Sequence, residues 1–491
     1  MKFVKVLVFL PMMVCAAPPA PYGPLPSERQ LKWHEMELFG LVHFGLNTMT
    51  DKEWGYGDAD PARFNPARLD AGRVMEALKE GGLRGVILVA KHHDGFCLWP
   101  TRTTAYNITQ SPWRGGKGDL VREYADAARK YGLRFGVYCS PWDRNSGAYG
   151  TSDYLPLYQA QITELLSNYG TICEMWFDGA NGGDGYYGGA KETRKIDRFA
   201  YYDWPATWGI VRKLQPNACI FGDVGPDCRW VGNENGYAAQ ESWATFTPRG
   251  RSDPARPANG DSRTEEAPAG HRDGKFWIPP ECDVPLRRGW FWHADQDATV
   301  RPPAKLMEIY FASVGRGGGM NLGIAPDRDG LVCDADRASL KVFGNALRSL
   351  FANNFAAGAR AEADAVRAAP TPEEAARYAP GNVLDGDRYT YWATDDGVTE
   401  AALTLKLVEV AEFDVVRLRE NIKLGQRVDA FVVEVWDGKA WQLFAQGESI
   451  GACRLLRGKK IRTDRVRLRI LHATACPCIS EFGLYAMPVN L

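Results

Sequence analysis

From about residue 30 to residue 225, apolar runs of strand length alternate with amphipathic stretches of helix length, and this limits the chain to a few folds. Gly85 to Ala90 is a continuous apolar run. Leu120 to Tyr131 is amphipathic and stops at Gly132. Phe135 to Ser140 is again strand-like and closes at Pro141. Leu155 to Tyr169, halted by Gly170, precedes the run Ile172 to Phe177, and Trp204 to Leu214 precedes Ala218 to Phe221. Strand–helix units repeated in this way build a parallel sheet covered by helices. Their number and the length available predict a (β/α)8 barrel rather than an open sheet. Leu306 to Ser313 supplies a further helix. The run Gly315-Arg316-Gly317-Gly318-Gly319 lacks the Lys-Ser/Thr of a nucleotide loop and is expected to turn into a barrel strand over Met320 to Ile324.

A chain of 491 residues is expected to hold more than one domain. Near residue 355 the pattern changes. Ala356 to Ala379 is rich in alanine, charge and proline, as connectors are. Short alternating segments follow at Ala402 to Leu407, Phe413 to Leu418, Ala430 to Trp436 and Arg465 to Leu471, and these predict an antiparallel β-sandwich. Asn382-Val383-Leu384-Asp385-Gly386-Asp387 with Thr390-Tyr391-Trp392 resembles the opening of discoidin-like sugar-binding modules. The expected division is a signal peptide at 1–16, a barrel over 25–352, a connector over 353–379 and a sandwich over 380–491.

The N-terminus has the layout of an export signal: Lys2 and Lys5, an apolar stretch from Val6 to Val14, and small residues around Val14-Cys15-Ala16. Cleavage near Ala16 is preferred over lipid attachment at Cys15. The apolar stretch is too short for a stable anchor, and no later segment reads as transmembrane. The net charge of −1 gives no reason to expect nucleic acid or an acidic membrane surface as partner. The ten cysteines beyond the signal are scattered, several within apolar runs, and read as buried thiols. Sixteen tryptophans are many; they either fill the core or stack on sugar rings.

In a barrel the C-terminal ends of all strands share one rim. That rim would gather His92, His93, Tyr138, Asp178 and Asp223. Asp178 ends an apolar run and Gly179 follows it, the position where barrel enzymes hold nucleophiles; a plain strand-end cap is the competing role. Trp176, two residues earlier, points to the same side of the strand. Glu234 lies in the glycine-flanked loop Gly232-Asn233-Glu234-Asn235-Gly236. Two carboxylates framed by histidine and tryptophan are the inventory for cleaving a glycosidic bond, in retaining enzymes roughly 5–5.5 Å apart. With seven histidines in all, a metal hydrolase is poorly provided with ligands. A glycan-binding protein without catalysis is a further alternative.

Several motifs then occur in order. Gly40-Leu41-Val42-His43-Phe44-Gly45, Lys52-Glu53-Trp54, Lys91 to Phe96, Tyr138, Trp176-Phe177-Asp178, Val314 to Gly318 and Asn321 to Pro326 together resemble α-L-fucosidases of glycoside hydrolase family 29. The resemblance covers roughly residues 30–350. It implies a retaining mechanism on terminal fucose of oligosaccharides or glycoconjugates, with no metal and no cofactor. It implies Asp178 as nucleophile and His43, Glu53, Trp54, His92, His93, Tyr138 and Trp176 as fucose contacts. Gly225-Pro226-Asp227 through Glu234, and Pro280 to Val284 with Arg288 to His293, resemble the branch acting on α-1,3/1,4 linkages. There the resemblance implies Glu234 as acid/base and Trp290 as a wall of the fucose subsite. Glu241 and Glu281 are the rival acids. The stretches Gly182 to Arg198 and Arg249 to Asp273 are longer than expected and fall near the rim.

Overall fold

The computed structural model describes residues 17–489, so the signal segment 1–16 lies outside the described residues. Eight parallel strands close into a barrel: β1 Leu38–Val42, β2 Gly85–Lys91, β3 Arg134–Cys139, β4 Glu174–Trp176, β5 Cys219–Gly222, β6 Cys228–Trp230, β7 Pro280–Pro285 and β8 Gly319–Ile324. Each strand pairs with its neighbours in sequence, and β8 closes onto β1 from Leu38↔Met320 to Val42↔Ile324.

Helix α1, Glu28–Met36, precedes β1. Helices α2 Ala71–Glu80, α3 Leu120–Tyr131, α4 Tyr154–Asn168 and α5 Trp204–Leu214 follow β1 to β4 in turn. Their ends follow local chemistry. Asp70 caps α2 by accepting the Gly72 and Arg73 N–H groups, Asp119 caps α3 through the Arg122 N–H, and Gly132 ends α3 in the left-handed region at φ 72°. Helix α6, Pro303–Ala312, joins β7 to β8, and α7, Asp334–Ala352, follows β8.

The barrel expected from the sequence is present, with two strand connections that lack a helix. Among the described residues β5 passes to β6 through a tight turn, and β6 passes to β7 through a loop of about fifty residues with one two-stranded ribbon, Thr245–Phe246 with Phe276–Trp277. Neither connection holds a helix. The barrel is therefore covered by helices on one side of its rim and by loop on the other.

The C-terminal domain is an antiparallel sheet of seven strands: β9 Arg360–Ala363, β10 Trp392–Ala393, β11 Ala401–Glu420, β12 Val428–Trp436, β13 Trp441–Gly447, β14 Arg454–Ala473 and β15 Cys478–Tyr485. The order is β10–β15–β11–β14–β12–β13, with β9 on the first half of β11. Strands β11 and β14 run through bulges between Lys406 and Ala411 and between Phe413 and Val415. Their two halves pack on one apolar core that includes Leu403, Leu405, Val416, Leu418, Leu468, Ile479 and Phe482. The expected sandwich is thus built from long, bulged strands, and β9 lies inside the segment read as a connector.

The two domains share buried contacts. Glu37 at the foot of β1 takes Arg419 at 2.9 Å and also Arg388 and Arg84, and these guanidinium groups hold its carboxyl far below the usual range despite burial. Val415, Cys453, Leu455 and Tyr485 join the apolar core of the barrel. All ten described cysteines are free thiols, most of them buried.

Candidate active site

Asp178 stands two residues beyond β4 at the rim. The Tyr138 hydroxyl from the end of β3 donates to its Oδ2 at 2.9 Å, and the Ala180 N–H donates to Oδ1 at 2.7 Å. Both donors fix the plane of the carboxyl group. Gly179 is needed for space rather than for turning: a Cβ there would lie 2.2 Å from Asp223 Oδ2.

The histidines predicted for the site converge beside Asp178. Strand β2 ends at Lys91, and the turn closed by the Gly95 N–H on the His92 carbonyl lets both rings face inward, their centroids 4.1 Å apart. An extended strand would have sent them to opposite faces. The Ser140 hydroxyl donates to the Trp142 carbonyl at 2.8 Å, so it accepts from His93 Nδ1–H at 2.7 Å. His93 Nε2 is left facing Asp178 Oδ2 at 3.9 Å, an acceptor when the ring is neutral. His92 takes the Asn47 side chain at 3.2 Å. His43, just beyond β1, packs on Trp290, with ring centroids 5.0 Å apart, and on Phe291 and His92. Burial lowers the pKa of all three rings, that of His43 to about 3, which keeps them neutral donors and acceptors for hydroxyl groups.

Aromatic walls complete this half. Trp176 lies between Phe221, at 3.9 Å and 7°, and Tyr138, at 5.0 Å and 25°. Trp54 is about half exposed and edges onto His93 and Trp142. Glu53 has a structural duty as well: its carboxylate accepts the N–H groups of Trp290 at 2.9 Å and Phe291 at 3.1 Å, and meets His293 Nε2 at 2.9 Å. It holds the loop that carries Trp290 against the rim.

Glu234 sits on the loop side. It lines a cavity of about 440 Å³ together with Asp178, Trp176, Asp223, Trp230 and Asp283. The residue is exposed. The protein mass around it and the charges of Asp178 and Glu53 nevertheless push its pKa up, against a hydrogen bond from Trp290 that pulls it down. Asp223, which accepts the Gly260 N–H at 2.7 Å, is raised to about 7 by burial and by Asp178. Asp283 is raised well above the ordinary value by burial and by Glu234, and accepts the Trp230 indole N–H at 2.7 Å. Asp283 was not foreseen. The signal available was two acids within Pro280-Glu281-Cys282-Asp283-Val284, unusual for a buried strand.

Both rival acids lie elsewhere. Glu281 is fully buried inside the barrel. Glu241 bonds Arg454 at 2.7 Å and the N–H groups of Glu448 and Ser449, and so ties the loop to the C-terminal domain.

A rim that offers a positioned carboxylate, a second carboxyl group with raised pKa, neutral imidazoles and tryptophan faces is suited to a sugar. The sequence profile described as Alpha-L-fucosidase matches residues 27–349. The chain belongs to the α-L-fucosidase family. Alpha-L-fucosidase 1 of Arabidopsis thaliana is 39% identical over 472 residues, covering 95% of this chain and 88% of the plant protein. Among solved structures, SpGH29 is 37% identical with a TM-score of 0.86, covering 96% of this chain and all of that one. A Ruminococcus gnavus glycoside hydrolase 29 fucosidase in complex with fucose is 30% identical with a TM-score of 0.85, covering 96% of this chain and 97% of that one. This fucosidase is therefore a glycoside hydrolase of fucosylated glycans with the barrel-plus-sheet architecture of its relatives. No helix among its described residues is long and apolar enough to cross a membrane.

Proposed function

We propose that this fucosidase is exported and releases terminal α-1,3/1,4-linked fucose with retention of configuration, using Asp178 as nucleophile and Glu234 as acid/base. The observation that carries this reading is the pair of carboxyl groups entering one cavity with opposed surroundings. Asp178 accepts two hydrogen bonds that hold its carboxyl group in place at the rim. Glu234 is pushed toward its protonated form.

In the first step an Asp178 oxygen attacks the anomeric carbon while Glu234 gives its proton to the departing glycosidic oxygen. A covalent fucosyl ester on Asp178 results. In the second step Glu234 takes a proton from water, which attacks the same carbon and expels Asp178. His93 Nε2, His92 and His43 accept or donate to ring hydroxyls, and Trp176 and Trp290 wall the sugar. The likeness of residues 225–234 and 280–293 to the α-1,3/1,4 branch supports the linkage, and the composition of residues 1–16 supports export.

Asp178→Ala is expected to lower turnover by several orders of magnitude, even on an activated aryl fucoside. Glu234→Ala is expected to hurt poor leaving groups far more than activated ones, with azide restoring the latter. NMR of the first-formed product should show the α-anomer. A β-anomer, or near-normal turnover by Asp178→Ala, would end the retaining assignment. A glycan-binding protein without catalysis is disfavoured because it has no need of both carboxylates; saturable binding without product in calorimetry would restore it.

A further inference from the structure

Beneath the rim the barrel interior holds a second pair of acids. Glu174 opens β4, Glu281 is the second residue of β7, and both are fully buried. One oxygen of each lies within 4.8 Å of the other and of Cys228 Sγ on β6. The sulfur stands 3.7 Å from Glu174 Oε1 and 3.7 Å from Glu281 Oε2. The donors turned toward the pair are neutral and mostly serve one member. Glu281 Oε1 accepts the Trp176 indole N–H at 2.9 Å and the Asn321 amide at 2.8 Å. Its Oε2 accepts the Trp33 indole N–H at 3.3 Å. Glu174 has the Cys228 thiol on Oε1 and a share of the Trp33 indole N–H that Glu281 also takes, while its buried Oε2 accepts no hydrogen bond.

Two carboxyl groups this close, away from water and faced by neutral donors, cannot both ionise. The donor count decides which one does. We propose that Glu281 carries the charge, that Glu174 carries the proton and donates it to Glu281, and that the pair is a positioning device for the catalytic rim. The link runs through Trp176. Its indole N–H is pinned by Glu281, its ring faces Tyr138, and the Tyr138 hydroxyl donates to Asp178. A neutral Glu174 lets Glu281 stay ionised without a like charge beside it, so the acceptor that fixes the Trp176 ring is as strong as possible.

The proposal rests on Asp178 being the nucleophile only for its consequence, not for the location of the proton. Infrared difference spectra of wild type against Glu174→Gln, taken in heavy water at mildly alkaline pH, should show the loss of one protonated carboxyl band. Glu174→Gln keeps a donor toward Glu281 and should leave kcat within about threefold of wild type. Glu281→Gln removes the charge that Trp176, Asn321 and Trp33 face and puts an NH2 donor in place of one accepting oxygen, and should lower kcat roughly ten- to a hundredfold while KM moves less. If that variant does not fold, Trp176→Phe removes the same N–H and should lower kcat about tenfold. No lost carboxyl band, equal losses in the two Gln variants, an unchanged Trp176→Phe, or a stoichiometric divalent metal in purified wild type would each overturn the proposal. Activity surviving in Asp178→Ala would instead remove the nucleophile assignment and leave the infrared result untouched.

Discussion

The two sides of the barrel rim are built on different plans. From β1 to β4 every strand is followed by a helix, and the rim carries His43, His92, His93, Tyr138 and Asp178, buried or nearly so. From β5 to β7 the helices are missing, and the rim is loop that supplies Glu234, Arg251, Gly260 and Thr264 to the same cavity. Side chains on packed strands keep their places to fractions of an ångström, and loops tolerate change in length and composition. On the mechanism proposed above, the helix-backed side grips the sugar to be cleaved, and the loop side meets what the sugar is attached to.

The largest effect should come from the gripping side. Tyr138→Phe removes a buried donor to Asp178 and nothing else of size, and is expected to lower kcat by about a hundredfold on every substrate. A loss that depended on the leaving group would place Tyr138 with the loop side and break the comparison.

The next effect is in pH. Glu234 must donate a proton, and its pKa is raised, so activity should hold past the ordinary glutamate value and then fall about tenfold per pH unit on the alkaline side. Glu234→Ala, assayed on an activated aryl fucoside, should lose that limb while the acid limb remains. An alkaline limb that persisted in the variant would belong to another group of the cluster, with Asp223, raised to about 7, the first to test.

How much of this was legible in the sequence follows the same divide. Helices α3, α4 and α5 of the gripping side were predicted to within a residue, because amphipathic runs end at caps such as Asp119 and Gly132, whereas α2, Ala71–Glu80, was not read from the sequence. Strands β6 and β7 were not legible. Cys228-Arg229-Trp230 has a charged centre, and Arg229 is buried only because carbonyls of Ala267, Trp243 and Ile278, all in or beyond the loop, accept its N–H groups. Strand β7 hides two acids that Trp176, Asn321, Trp33 and Trp230 make tolerable. Such strands are defined by partners far away in the chain, which no local pattern reveals. Strand β11 was read as two because Val408 and Glu409 loop out at its bulge. At the site, residue types and order pointed to the aromatic, histidine and carboxylate contacts. The structural duty of Glu53 was hidden, because its partners lie about 240 residues later.

A smaller effect is expected at the joint between the two sides. Gly260 has φ 78°, and a Cβ there would lie 2.0 Å from Asn181 Nδ2 and 2.4 Å from the Gly179 carbonyl oxygen. Gly260→Ala should push the loop off the rim and lower kcat/KM several-fold on branched fucosylated glycans, with less change on an aryl fucoside. Equal losses on both would mean that the loop supports the gripping side as well.

The smallest effect should be at Arg251. Its side chain is exposed, lines the cavity and donates to the Thr264 hydroxyl at 3.1 Å. Among the described residues it makes no hydrogen bond to Asp178, Tyr138 or the histidines, so on the proposed mechanism it is assigned to a group beyond the fucose. Arg251→Ala should change kcat/KM about twofold on an oligosaccharide and leave a small aryl fucoside untouched, since an exposed side chain contributes little binding energy. The informative quantity is the ratio between the two substrates. A shift in that ratio with unchanged aryl-fucoside kinetics is expected of a loop that reads only the leaving group, whereas a loss on the aryl fucoside would mean that the loop side also shapes the fucose subsite.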